Sequence, residues 1–327
     1  MNPDKNYQWL FGRKYEIVQS IDRLEEICEE MWNHDGIISF DTETTGLDFT
    51  FKCFYGQGDK LVGMVFSIRE GEGWYIPIRN KKFKNICEES DINYTVNKYF
   101  KKILEQKPLL CQNGGFDWKV MYSMGIFINL VHDTLIFNKL TIWNDHRNIK
   151  LGLKEMTKAT LGRDSLELSD FVSGKWGEGS VKFWDLDYES TKLYACPDTD
   201  NALGLLNYGL RENYLERYGA NKVYEIEVAF SIVIAYQEFY GHCVDVERTE
   251  RLVKEIKENK EESYNHMVEI VGHDFNPRST KDLAKVMFEE LGYPVLKRTK
   301  TGNPSAGKKV LEAMEKSRNE NGDPLYP

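Results

Sequence analysis

Ile37-Ile38-Ser39-Phe40-Asp41-Thr42-Glu43-Thr44-Thr45-Gly46-Leu47 sets a short apolar run directly ahead of two carboxylates, with a Thr-Thr-Gly-Leu turn behind them. In an extended strand, residues two apart project to the same face. Asp41 and Glu43 are therefore expected to leave a strand end together and to grip one cation. An Asp-x-Glu pair alone is equally the mark of a solvated strand edge. Its weight changes because Asn113-Gly114-Gly115-Phe116-Asp117 and Tyr194-Ala195-Cys196-Pro197-Asp198 follow it in that order. Each of these has an ordinary reading too: a turn with an aspartate at a helix N-terminus, and an amphipathic helix with a buried tyrosine. Taken together they point to a metal site. Four carboxylates gathered without a cation would repel by about 4 kcal/mol per pair at ~4 Å and an effective dielectric near ~20. Hard oxygen ligands with no soft partner favour magnesium or manganese over zinc or copper.

Outward from this stretch, residues 22–33 carry apolar positions at helical spacing, and strands are expected near 37–41, 61–68 and 74–78. The Glu/Gly-rich turn Arg69–Gly73 joins the last two, so three antiparallel neighbours are expected. A helix near 92–106 leads into Leu109-Leu110-Cys111, and helix and strand alternate past Val131. The fold class is thus α/β with a mixed sheet. Residues 163–187 read as a long irregular segment, and from Tyr188 the chain is mainly helical, with helices near 188–216, 222–240, 247–270, 279–291 and 307–317. The Gly219-Ala220-Asn221 cluster marks the expected junction, giving domains 1–220 and 221–327. Pro197 between Tyr194 and Asp198 implies either that a helix starts there or that Tyr194 is displaced.

A chain of 327 residues accommodates about two domains, and an apolar fraction of 41% fits a soluble globular protein. No eighteen-residue apolar stretch and no signal-peptide pattern is present, so the default expectation is a cytoplasmic protein with no membrane partner. The cysteines Cys28, Cys53, Cys87, Cys111, Cys196 and Cys243 lie far apart without zinc spacing and read as reduced packing residues. A formal net charge of −9 argues against a broad basic surface coating duplex DNA, while leaving room for an acidic, metal-loaded pocket.

The order Asp41-x-Glu43, Asn113-x-x-x-Asp117, Tyr194-x-x-x-Asp198 resembles the 3′→5′ exonuclease superfamily that uses three Asp and one Glu, in its tyrosine branch. Leu61–Ile68, Trp74–Ile78 and Gln112-Asn113 resemble the proofreading exonuclease domain of family A DNA polymerases, phage-type. Glu225-Ile-Glu227, Tyr240–Asp245, Phe275–Thr280 with Lys281–Leu283, and Thr301–Ser305 resemble the stretch that opens the polymerase domain of that family. No later polymerase motif is found, so palm and fingers are expected to be absent and the helical part to be a partial polymerase region.

The resemblance implies a ribonuclease-H-like fold and two-metal phosphodiester hydrolysis with two Mg²⁺ or Mn²⁺ ions. It assigns one ion to Asp41, Glu43 and Asp198 and the second to Asp41 with Asp117, with Tyr194 orienting the attacking water. The single-stranded or frayed 3′ end of DNA would be held by Thr42, Leu47, Gln112, Asn113 and Phe116, largely by stacking and wedging. A separate polymerase subunit carrying palm and fingers is a further expected partner. The aromatic insertion Phe49–Tyr55 reads as a self-packed loop or as a flank of the DNA channel. Lys297–Lys300 with Lys308-Lys309 reads as a solvated surface or as a contact to the duplex backbone. Two other functions stay open: an RNA-trimming exonuclease of the same superfamily, and a non-catalytic scaffold for a partner polymerase.

Overall fold

The computed structural model describes residues 6–142, 150–171 and 182–317. The chain forms two compact units, Met1–His242 and Cys243–Pro327. Strands of the first are β1 (Lys14–Ile17), β2 (Ile38–Thr44), β3 (Leu61–Ser67), β4 (Glu72–Pro77), β5 (Leu109–Cys111) and β6 (Leu130–Asp133). Its helices are α1 (Ile21–Asn33), α2 (Ile92–Gln106), α3 (Gly115–Tyr122), α4 (Thr134–Leu140), α5 (Leu153–Leu161), α6 (Tyr188–Arg211), α7 (Tyr214–Arg217) and α8 (Asn221–Tyr240).

The strands make one mixed sheet in the order β1-β4-β3-β2-β5-β6. β2, β3 and β4 are the antiparallel neighbours expected from the sequence, β5 and β6 continue in parallel from β2, and β1 runs parallel to β4 at the far edge. This is the α/β mixed sheet expected from the alternation of strands and helices, in the ribonuclease-H-like arrangement that the resemblance implies.

Register decides which side chains meet. Phe40 lies opposite Phe66 and Phe66 opposite Trp74, whereas Asp41 lies opposite Val65 and Val65 opposite Tyr75. Alternation therefore sends Phe40, Phe66 and Trp74 to one face and Asp41, Val65 and Tyr75 to the other. On the first face Phe66 stacks between Phe40 and Phe100 at centroid distances of 5.0 and 5.3 Å, within the core that α1 and α2 close. α1 forms because Ser20 accepts from the Arg23 N–H at its start and because Leu24, Ile27 and Met31 fall on one buried stripe. α6 crosses the second face over β1 to β4. The Tyr75 hydroxyl occupies the space a side chain at Gly63 would need: a Cβ there would lie 2.2 Å from it.

Several boundaries differ from expectation. The first unit continues past residue 220 to His242, because α8 packs on α3, α4 and β6 and buries Tyr224 and Val228 there. α6 begins at Tyr188, capped by Asp187, and continues through Pro197, so the helix does not start at that proline. It stops at Arg211, with Asn213 in the left-handed region (φ 50°) ahead of α7. Of the irregular segment 163–187, short 3-10 turns form at Leu168–Phe171 and Phe183–Asp185, while 172–181 lie outside the described residues.

The second unit contains α9 (Val246–Val271), α10 (Thr280–Lys285) and α11 (Lys308–Glu315), with a small core of Met287, Ala306, Val310 and Met314. α10 widens into a π turn at Val286–Glu290 where the sequence predicts one continuous helix. Lys297–Lys300 and Lys308-Lys309 are exposed. Among the described residues no helix is long and apolar enough to cross a membrane.

Candidate active site

β2 delivers Asp41 and Glu43 to the face crossed by α6, and α6 delivers Asp198 to the same place. One carboxylate oxygen from each of Asp41, Glu43 and Asp198 lies within 4.8 Å of the others, and all three residues keep some solvent exposure. α6 is fixed against the sheet by the Ser67 and Thr199 hydroxyls, 2.7 Å apart. The single strand end and the single helix thus bring together acids more than 150 residues apart in the chain.

Asp117 comes from the first turn of α3 and is buried. Its Oδ1 accepts the Thr42 N–H at 2.9 Å and the Thr42 hydroxyl at 2.6 Å. It stands close enough to Asp41 for its charge to push the Asp41 carboxyl upward, after burial the largest cause. Burial raises Glu43 to about 8, with Asp198 adding to the rise. Asp117 rises to about 7, mainly through burial and against the two Thr42 hydrogen bonds. Asp198 rises to about 6, again through burial. Four carboxyls whose proton affinity burial raises form an all-oxygen donor set, and that set fits hard divalent cations.

Tyr194 lies one helical turn before Asp198, and burial followed by the charges of Glu43 and Asp198 holds its phenol well above the ordinary range. The tyrosine is therefore near enough to the acids to feel their charge although Pro197 lies between them. Of the residues expected at the DNA end, Thr42 is buried and gives both its donors to Asp117. Leu47 is 80% exposed just beyond β2. Asn113 is exposed in a left-handed conformation (φ 61°), and the Gln112 side-chain oxygen accepts from the Thr134 hydroxyl. Phe116 packs edge-on against buried Phe49 at 5.7 Å. The insertion is a short 3-10 turn at Phe51–Tyr55 whose Phe54 meets Phe239 at 5.2 Å, so it is packed on the domain.

Sequence reasoning passed over two buried aspartates. Asp133 accepts the N–H groups of Asn113 (3.1 Å), Gly114 (2.8 Å) and Leu135 (2.8 Å), tying the turn before α3 to the start of α4. The Tyr224 hydroxyl of α8 in turn accepts the Asp133 N–H at 3.0 Å. The N-cap pattern Asp133-Thr134 ahead of Leu-Ile-Phe could have revealed half of this. Asp200, fully buried, accepts the Tyr15 hydroxyl at 2.6 Å and the Gly71 N–H at 2.9 Å, and Arg13 lies 3.3 Å away. It ties α6 to β1 and to the turn before β4, two residues beyond Asp198. No local pattern announces it, since its partners are far away in sequence.

The family described as 3′-5′ exonuclease matches residues 15–208, and DNA polymerase family A matches residues 246–324. DNA polymerase I of Borreliella burgdorferi is 29% identical over 306 residues, which are 92% of this chain and 31% of that protein. DNA polymerase DpoZ of Vibrio phage phiVC8 is 23% identical over 84% of this chain and 44% of its own length. The chain thus spans less than half the length of these relatives. The POL domain of Pol1 from M. smegmatis, in complex with DNA primer-template and dNTP, superposes with a TM-score of 0.62 at 16% identity, over 92% of this chain and 44% of that one. The exonuclease match covers more than half of the chain and all four acids of the cluster, and the chain belongs to the 3′-5′ exonuclease family of family A DNA polymerases.

Proposed function

We propose that the chain is a divalent-metal-dependent 3′→5′ exonuclease that removes terminal nucleotides from DNA, the proofreading module of a phage-like family A polymerase, without synthetic activity of its own. The observation that carries this reading is the approach of the Asp41, Glu43 and Asp198 oxygens to within 4.8 Å of one another, with Asp117 beside them.

In this reading Asp41, Glu43 and Asp198 hold one ion, and Asp41 with Asp117 holds a second. When bound, such ions supply a hydroxide from water and stabilise the leaving 3′ oxygen. The chain's own residues do the rest. The Tyr194 hydroxyl, kept protonated, orients the attacking water. Thr42 fixes Asp117 instead of touching the substrate. Leu47, standing into solvent after β2, wedges against the terminal bases, and Asn113, Gln112 and Phe116 line the turn that receives the end. Recognition by stacking and wedging reads no base edge, as removal of any terminal nucleotide requires. The match of residues 246–324 to a polymerase family favours DNA over RNA and favours association with palm and fingers, on the same or another chain.

The test incubates 5′-labelled single-stranded DNA and RNA with the chain and Mg²⁺. A ladder shortened from the 3′ end of DNA, abolished by chelator, is expected, and no primer is extended when dNTPs are added. Preference for RNA, or cleavage that survives chelation, contradicts the proposal.

A further inference from the structure

Lys154 lies in the first turn of α5, behind the Gly152 N-cap. Its side chain is 24% exposed, and its ammonium donates to the Leu166 carbonyl at 2.9 Å and to a Glu167 carboxylate oxygen at 3.1 Å. A third side of the ammonium is taken by the Tyr194 ring, whose centroid lies 4.8 Å from Nζ. A cation in that position is attracted by the negative face of the ring. A lysine free of such contacts extends its ammonium into water, so three fixed partners mark an anchored charge. Tyr194 lies one helical turn from Asp198 and feels the charge of the acids, and the Lys154 charge acts on Glu43 and Asp198 against the rise that burial causes there.

We propose that Lys154 is a positioning residue: anchored on Leu166 and Glu167, it pins the Tyr194 ring beside the carboxylate cluster and keeps a positive charge at the rim of that cluster. The inference rests on the exonuclease reading above and on Tyr194 as the group that orients water. Removing the charge frees the phenol and leaves the cluster more negative, so it should take a divalent ion more tightly while turning over more slowly. Arginine also stacks on aromatic rings and carries the same charge, so Lys154→Arg should conserve both effects.

The experiment measures kcat and KM on single-stranded DNA with Mg²⁺ for wild type, Lys154→Met, Lys154→Arg, Tyr194→Phe and the double variant Lys154→Met/Tyr194→Phe. Mn²⁺ binding is measured separately by calorimetry without DNA. Lys154→Met should lower kcat about tenfold with KM within about twofold, and Lys154→Arg should stay within about threefold of wild type. The double variant should fall less than about threefold below the worse single one, because both remove one function. Mn²⁺ should bind Lys154→Met about two- to threefold more tightly than wild type. Unchanged kcat in Lys154→Met, multiplicative losses in the double variant, or weaker Mn²⁺ binding alongside lost activity overturns the inference. If Lys154→Met melts more than about 5 °C below wild type, Lys154→Gln, which keeps a donor for Leu166 without charge, carries the same expectations. A wild-type chain inert on DNA overturns the exonuclease reading instead, and the Mn²⁺ arm then decides alone whether the Lys154 charge bears on the cluster.

Discussion

Thr42 stands between two acids that face one side of the sheet, and its N–H and its hydroxyl both go to Asp117. The acids themselves were legible from the order of their three motifs, although each motif taken alone has an ordinary reading. The role of Thr42 was not, since its partner lies 75 residues on. Asp41→Ala or Asp198→Ala should reduce cleavage by more than about a thousandfold, and Tyr194→Phe, losing one hydrogen bond, by about ten- to thirtyfold, in single-turnover assays on labelled DNA. A mild effect at Asp198 would count against its assignment. The same crowding gives the protein a pH signature. Unfolded carboxyls titrate near ~4, whereas Glu43, Asp117 and Asp198 sit at about 8, 7 and 6 in the fold. Carboxyls with raised folded values hold extra protons in the native state, so their contribution is complete below about pH 4 and is lost as pH rises through about 6 to 8. With chelator present, melting temperature should therefore fall between about pH 5 and 8, and Mn²⁺ should restore it most at the upper end. A metal-free melting temperature that rises across this window contradicts the charge cluster.

Among the elements, the strands and helices that build the sheet were readable because each carries a continuous apolar pattern: Ile92, Val96, Phe100 and Ile103 fix α2, and a fully buried run fixes β3. What periodicity could not show is how α6 survives Pro197. Pro197 is buried within the helix, where packing of the surrounding turns against the sheet offsets the missing N–H bond. Nor could it show why β3 carries a glycine. Gly63 lies opposite Glu43, and the Tyr75 hydroxyl fills its place. Gly63→Ala should therefore displace that ring and cost about 1–3 kcal/mol, seen as a melting temperature lower by about 2–10 °C. A melting temperature equal to wild type would show that Tyr75 has room to move.

For the molecule as a whole, the alternation of strand and helix patterns pointed to the α/β plan, yet the junction near 220 came out early. Helical spacing cannot tell which body a helix packs on, and α8 belongs to the first unit through Tyr224 and Val228. A fragment ending at His242 should fold and keep exonuclease activity, whereas one ending at residue 220 should strip Tyr224 from His132 and Asp133 and lose thermal stability, as read by circular dichroism and DNA cleavage. Equal stability of the two fragments would place α8 outside the folding unit. The Asp200 knot reaches further still. Tyr15, Arg13 and Gly71 hold this carboxylate from the opposite edge of the sheet. In the string Asp198-Thr199-Asp200 the two acids look interchangeable, yet one joins the proposed metal site and the other ties α6 to β1 and to the turn before β4. An engineer who wants a folded but silent nuclease should change the first and leave the second alone. Variation that strikes the second will be recorded as lost protein, although the chemistry it never touched is what the loss will be blamed on.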